Sequence, residues 1–164
     1  MAGSMFLKMG DDIKGESTDA AHEGWMGITS FSTGVSQQIS APSATGGRAA
    51  GKASFQDLSV TKEVDTASAD IAQFCALGKV IPEVNLEVCI NSGGEEGHVL
   101  VKYKLENAMV SSYNLNGVDG GGKPSESFSL AYGKITVCYV PLDDSHAAGS
   151  EFERGWNLET NKKM

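Results

Sequence analysis

The stretch of this chain closest to a phosphate-binding loop is Gly46-Gly47-Arg48-Ala49-Ala50-Gly51-Lys52-Ala53, which follows the spacing GxxxxGK. That chemistry needs a Ser or Thr directly after the lysine to hold magnesium, and a following helix whose N-terminus faces the phosphate. Here Ala53 stands after the lysine, Ser54 comes one residue late, and the residues beyond read as a strand. A chance match in a glycine-rich loop accounts for it. His22, His98 and His146 show neither HxxxH nor HExxH spacing, so nothing in the pattern assigns a zinc site. Asp11-Asp12, Glu95-Glu96 and Asp143-Asp144 are adjacent pairs in turns, where carboxylates cap backbone and carry solvated charge. There is no GxSxG, and no cysteine has an evident histidine partner. The sequence therefore assigns no catalytic, cofactor-binding or metal-ligating residue, and an enzyme is disfavoured.

The elements that would position any site centre on residues 53–90, which read as strand, helix, strand. Ile71, Phe74, Cys75 and Gly78 fall at i, i+3, i+4 and i+7, the spacing of one buried helical stripe. Ser68 is expected as N-cap, Asp70 as the acidic group near the positive helix end, and Gly78 with Lys79 as the stop. Val84, Leu86, Val88 and Ile90 alternate with polar residues as a half-buried strand. Before this unit, Phe6–Met9 reads as a strand. Trp25, Gly27, Thr29, Phe31, Thr33 and Val35 read as one face of a single strand, with Ser30, Ser32 and Gly34 on the other.

Residues 36–51 change to Ser, Gln, Ala, Pro, Thr and Gly with little to bury, which predicts a long irregular loop, either functional or a tolerated insertion. After the unit, residues 91–94 begin a hairpin turn. Val99, Val101, Tyr103 and Leu105 make the cleanest strand, with Met109, Ser111, Tyr113 and Leu115 continuing or pairing with it. Asn116–Lys123 is a second loop. Phe128, Leu130 and Tyr132 share one strand face, and Ile135, Val137 and Tyr139 another, with Gly133 a bulge between them. Trp156 is expected to pin the polar tail to the body.

The expected fold is mainly β: a small antiparallel β-barrel with one flanking α-helix and long extended loops. Its exposed edges imply closure or completion by neighbouring subunits. At 164 residues and 40% hydrophobic content the chain reads as one domain, residues 1–164, with residues 1–4 set aside as a cloning scar or disordered N-terminus. The net charge of −8 and the absence of clustered Lys and Arg disfavour nucleic acid as partner. No apolar run approaches a membrane span, and no signal-peptide core is evident at the N-terminus. Three scattered cysteines, Cys75, Cys89 and Cys138, read as buried, reduced thiols of a cytoplasmic fold.

Several segments together resemble the haemolysin-coregulated protein (Hcp) family, the inner-tube subunit of bacterial type VI secretion systems. They are Phe6-Leu7-Lys8, Gly15-Glu16-Ser17, Ser30-Phe31-Ser32 with Gly34, Gly51-Lys52-Ala53, Phe55-Gln56-Asp57, Thr61-Lys62, Asp65, and the helix to Cys75 and Gly78. Val110-Ser111-Ser112-Tyr113, Pro124 with Glu126, Tyr132, Ile135, Gly155-Trp156 and Asn161-Lys162-Lys163 continue the match in order. Two departures are Thr33, where an aromatic is common, and Ala69, where the helix often begins with proline.

The resemblance implies hexameric rings stacked head to tail within a contractile sheath, capped by a spike, and expelled from the cell without a signal peptide. It also implies effector proteins carried in the lumen. Under that reading Ser30 and Ser32 face the channel, near the loop holding Asn116 and Asp119; alternation alone equally permits Ser32 on the ring exterior. The loop carrying Ser40, Pro42, Ser43, Thr45 and Arg48 would stack ring on ring. The competing reading is a monomeric β-barrel that binds a small ligand in an apolar interior.

Overall fold

In the computed structural model, which describes residues 3–40, 46–91, 97–145 and 147–164, the alternating segments form ten strands and one helix. The strands are β1 (Gly3–Met9), β2 (Met26–Ile28), β3 (Ser30–Ile39), β4 (Ala50–Glu63), β5 (Ile81–Ile90), β6 (His98–Asn116), β7 (Ser125–Ala131), β8 (Lys134–Tyr139), β9 (Phe152–Asn157) and β10 (Lys162–Lys163). The helix, α1, spans Ser68–Leu77. Every strand pairing is antiparallel. One sheet runs β10-β9-β8-β6-β5-β1-β2, and a second runs β3-β4-β7-β6, so the 19-residue β6 belongs to both. The two sheets enclose one core of Leu7, Met26, Leu58, Val60, Ile71, Leu86, Leu105, Phe128 and Leu130. The expected barrel is thus present as a mainly β fold with a flanking helix, but its ladder is open.

The chain bends from one sheet to the other at defined points. Between β2 and β3, Thr29 leaves the ladder of β1 and donates its N–H to the Thr61 carbonyl at 2.8 Å. That break reverses the expected facing. Met26 and Ile28 are buried while Gly27 is exposed, and Val35 stands 59% exposed. The single bulky face read from Trp25 to Val35 is therefore two strands with different registers to the core. In β6 the bend falls at Asn107, which takes φ +54°, so burial passes from Leu105 to Ala108 and Val110. Gly133 marks the third crossing, from β7 to β8, and a side chain there would meet the Glu159 carboxylate at 2.5 Å. In β8 the facing again differs from expectation: Cys138 is buried, whereas Tyr139 is 46% exposed.

Helix α1 ends as expected, with Gly78 left-handed at φ +63° and its N–H on the Cys75 carbonyl. Its start differs. Ser68 is the first helical residue and Ala67 the N-cap, without a side-chain capping bond; just before it, Asp65 Oδ1 accepts the Ala67 N–H at 2.9 Å. Lys79 meets the last turn through its backbone N–H, which donates to the Phe74 carbonyl at 3.2 Å, while its ammonium lies 4.7 Å over the Phe74 ring. Residues 36–39 and 50–51, expected as irregular loop, belong to β3 and β4 and prolong them into a paired arm with Gln37 opposite Ala53 and Ile39 opposite Ala50. Backbone pairing satisfies this arm without burying side chains, which a composition argument cannot foresee. Gly3 and Ser4, set aside in the sequence reading, pair with Ile90 and Cys89 of β5. Trp156 does hold the tail, stacking on Phe55 with centroids 6.2 Å apart.

Candidate functional surface: a hydroxyl face over a buried ion pair

The four-stranded sheet β3-β4-β7-β6 has two faces of opposite character, because large and small residues alternate on all four strands in matching register. One face carries Val60, Phe128, Leu58, Leu130 and Val110 into the core. The other carries rows of small polar side chains. Ser32, Ser59, Ser129 and Ser112 lie opposite one another in one row, and Ser30, Thr61, Ser127 and Asn114 in the next. Glu63, Ser125 and Asn116 form a third, shorter row. A register shift between Val110 and Ser112 brings Ser111 to the same face, where its hydroxyl donates to Asp57 Oδ2 at 2.6 Å. Ser129 Oγ lies 2.8 Å from Ser111 Oγ and 2.5 Å from Ser112 Oγ. Such a surface offers hydrogen bonds in many directions, and the small side chains of its two longer rows select no one partner shape.

Beneath this sheet sits a charged network. Lys62 of β4 and Glu126 of β7 are register partners on the core face, ion-paired, and both fully buried. Lys62 Nζ also reaches Asp65 Oδ1 at 2.7 Å. Ser68 at the start of α1 donates to Glu126 Oε1 at 2.9 Å, and the Tyr113 hydroxyl of β6 donates to Glu126 Oε2 at 2.5 Å. Burial, and then the hydrogen bond to Glu126, push the Tyr113 hydroxyl up to about 12. One carboxylate thus ties three strands and the helix together, holding the hydroxyl face in register.

The structure puts Ser30, Ser32 and Asn116 on this one face, all exposed, with Asp119 in the exposed turn beyond β6. It does not bring them close: Ser30 and Ser32 lie on one edge strand and Asn116 on the other, three strands away, or roughly 14 Å. Of the expected stacking residues, Ser40 exchanges backbone and side-chain hydrogen bonds with Ala49 at the end of the arm, and Arg48 is exposed beside it. Pro42, Ser43 and Thr45 lie outside the described residues, as do Glu95, Glu96, His146 and the turn expected at residues 92–94. Lys52 lies within β4, which continues as strand to Glu63, so no helix starts directly after the lysine.

Sequence reasoning missed Ser59, Ser127 and Ser129, although Ser125, Ser127 and Ser129 alternating with Glu126, Phe128 and Leu130 carried the signal. It also missed that His22 meets Asp19, Glu87 and Cys89. Those residues are spread across 19–89, and only strand pairing brings them together. Cys75, Cys89 and Cys138 are free thiols, with Cys75 half-buried and the other two buried. Thr33 borders an apolar groove of about 280 Å³ with Val35, Phe55, Val137 and Trp156, where an aromatic would occupy more of the space.

Residues 6–139 match the family described as "Type VI secretion system effector, Hcp". The chain is 34% identical over 162 residues to "Protein hcp1" of Pseudomonas aeruginosa, covering 98% of each. Among solved structures it is similar to one described as "Structure of a type six secretion system protein", with a TM-score of 0.92 and 35% identity over 99% of this chain and all of that one. It is also similar to "Hcp1 from Salmonella typhimurium", with a TM-score of 0.81 and 25% identity over the full length of both.

Proposed function

Because this chain belongs to the Hcp family and is a structural component of the type VI secretion tube, we propose that six copies close a ring whose channel is lined by the hydroxyl face. The observation that carries this is the form of the sheet β3-β4-β7-β6. One face bears mostly small polar groups, and among the described residues both edge strands, β3 and the C-terminal half of β6, lack a partner on their outer side. Exposed apolar side chains sit on those edges: Val35 and Ile39 on β3, and Leu115 on β6. An edge of that kind invites another chain.

The size of such a ring follows from strand spacing. Six copies of four strands at about 4.8 Å each give a circumference of ~115 Å and a channel ~37 Å across. A folded domain of about 100 residues, with a radius of gyration of ~13 Å and hence ~34 Å across, would just fit that opening. Effector proteins would therefore ride against Ser30, Ser32, Ser59 and Ser129, with Asn116 and Asp119 at the channel's end. The arm bearing Ser40 and Arg48 would reach the next ring. The spike at the tube tip, the surrounding sheath and the effectors complete the set of partners, and the protein leaves the bacterial cytoplasm for the exterior. It acts by assembly, not by catalysis.

A monomeric ligand-binding barrel would need an enclosed apolar cavity, whereas this interior is filled by Leu58, Val60, Leu105, Phe128 and Leu130. Native mass measurement tests the proposal. The ring predicts ~103 kDa, six times the 17.2 kDa subunit, and a single subunit at tens of micromolar would overturn it.

A further inference from the structure

We propose that His22, Glu87 and Cys89 bind one divalent metal ion of the zinc type, with Asp19 orienting the histidine. The site lies on the side of β1 and β5 away from the core, where residues 14–25 fold across the pairs Phe6–Glu87 and Ser4–Cys89. One donor atom from each of the three residues lies within 4.8 Å of the others. His22 Nε2 is 2.6 Å from Glu87 Oε2 and 3.9 Å from Cys89 Sγ.

Tetrahedral zinc, with bonds of about 2.05 Å to nitrogen and oxygen and 2.3 Å to sulfur, separates N from S by ~3.5 Å and N from O by ~3.3 Å. The sulfur is already near that distance. Glu87 must withdraw by ~0.7 Å, and its side chain is 21% exposed, so it has room to move. An imidazole, a thiol and a carboxylate form a mixed donor set that suits zinc better than calcium or magnesium.

The surroundings are those of a histidine held for ligation. Nδ1 lies 2.8 Å from Asp19 Oδ1, which as acceptor orients the imidazole so that Nε2 points toward the other two side chains. The Phe6 ring stacks on the imidazole at 4.2 Å and 7°, and Trp25 meets it edge-on at 4.8 Å. A pocket of about 290 Å³, lined by His22 and Cys89 with Ser4, Asn91 and Gly97, lies beside the histidine and the thiol and would have room for a water as fourth ligand. Two carboxylates and a thiol around a histidine that is only 4% exposed form an electron-rich cluster that a dication neutralises. A bound ion would staple the 14–25 segment to β5.

The test is titration of the chelator-treated, full-length protein with cobalt(II), then zinc. One equivalent of cobalt per subunit, with thiolate-to-metal charge-transfer absorption that zinc abolishes, is expected. Cys89→Ser should lose that absorption, and Cys138→Ser should keep it. The second control matters because Cys138, Glu151 and Glu153 also lie within 4.8 Å of one another, without an imidazole. Asp19→Asn should retain the absorption while weakening zinc binding by about 10- to 100-fold. In the wild type, zinc should shield Cys89 from alkylation as read by mass spectrometry. Failure of cobalt to give the charge-transfer band, its survival in Cys89→Ser, or its loss in Cys138→Ser would overturn the site.

Discussion

The Lys62 ammonium and the Glu126 carboxylate are ion-paired across neighbouring strands with neither side chain reached by solvent. Removing one partner strands the other charge in the core, which costs about 3–5 kcal/mol. Glu126→Leu or Lys62→Met alone should therefore lower the denaturation midpoint sharply, and the double change should recover much of the loss. Chemical denaturation of the three variants checks this. Single changes no worse than the double would show that the pair does not stabilise the fold as argued.

Tyr113 gives a pH dependence whose sign is set by its position on Glu126. Its hydroxyl is raised from 10.0 to about 12 in the folded chain, so the unfolded chain loses that proton first as pH rises. The stabilisation is complete below pH 10 and declines as pH passes from about 10 to about 12. Tyr113→Phe should flatten that part of the stability curve, measured by denaturation at fixed pH values. An unchanged slope in the variant would assign the alkaline loss to other groups.

Much of this was legible in the chain. Alternation in Val84–Leu86 and in Phe128–Leu130 predicts strands, and Gly78 predicts the helix stop, because each reports a local backbone need. The facing of β2 was not legible, since one backbone break at Thr29 changes which parity meets the core. Nor was the fate of Lys62 and Glu126. Both types are ordinarily exposed, and only the register of β4 on β7 makes them partners. Ser30 and Ser32 were legible as a polar face, but its breadth comes from serines on three other strands.

Ring association should respond to salt. Six subunits at −8 carry a formal −48, a repulsion that added salt screens. Sedimentation across a salt series should show tubes lengthening as ionic strength rises. Lengthening on dilution of salt would mean that opposite charges, not screened like charges, govern stacking.

The arm is expected to serve ring stacking and not ring formation. Deleting residues 41–47 leaves the paired positions Gln37 with Ala53 and Ile39 with Ala50 in the chain. Hexamers should persist, whereas tubes and secretion should be lost. Secretion that survives the deletion would make the arm an insertion without a role in stacking.

Ser32→Gln places a longer side chain on the hydroxyl face without touching the core, because Ser32 is exposed on an edge strand. Hexamers should form as before while effector recovered with the ring falls several-fold. Equal effector recovery from both proteins would remove Ser32 from the contact surface.

The direction in which the hydroxyl face points is open to one direct measurement. Ser59 sits within the longest serine row, exposed, between Ser32 and Ser129. Spin labels on Ser59→Cys, with distances read by pulsed dipolar spectroscopy on the assembled ring, report where that row lies. A channel-lining face predicts a shortest intersubunit separation of ~18 Å and none beyond ~37 Å, the channel width set by 24 strands. Distances that begin above ~37 Å would put the serines on the outside of the ring and contradict the account.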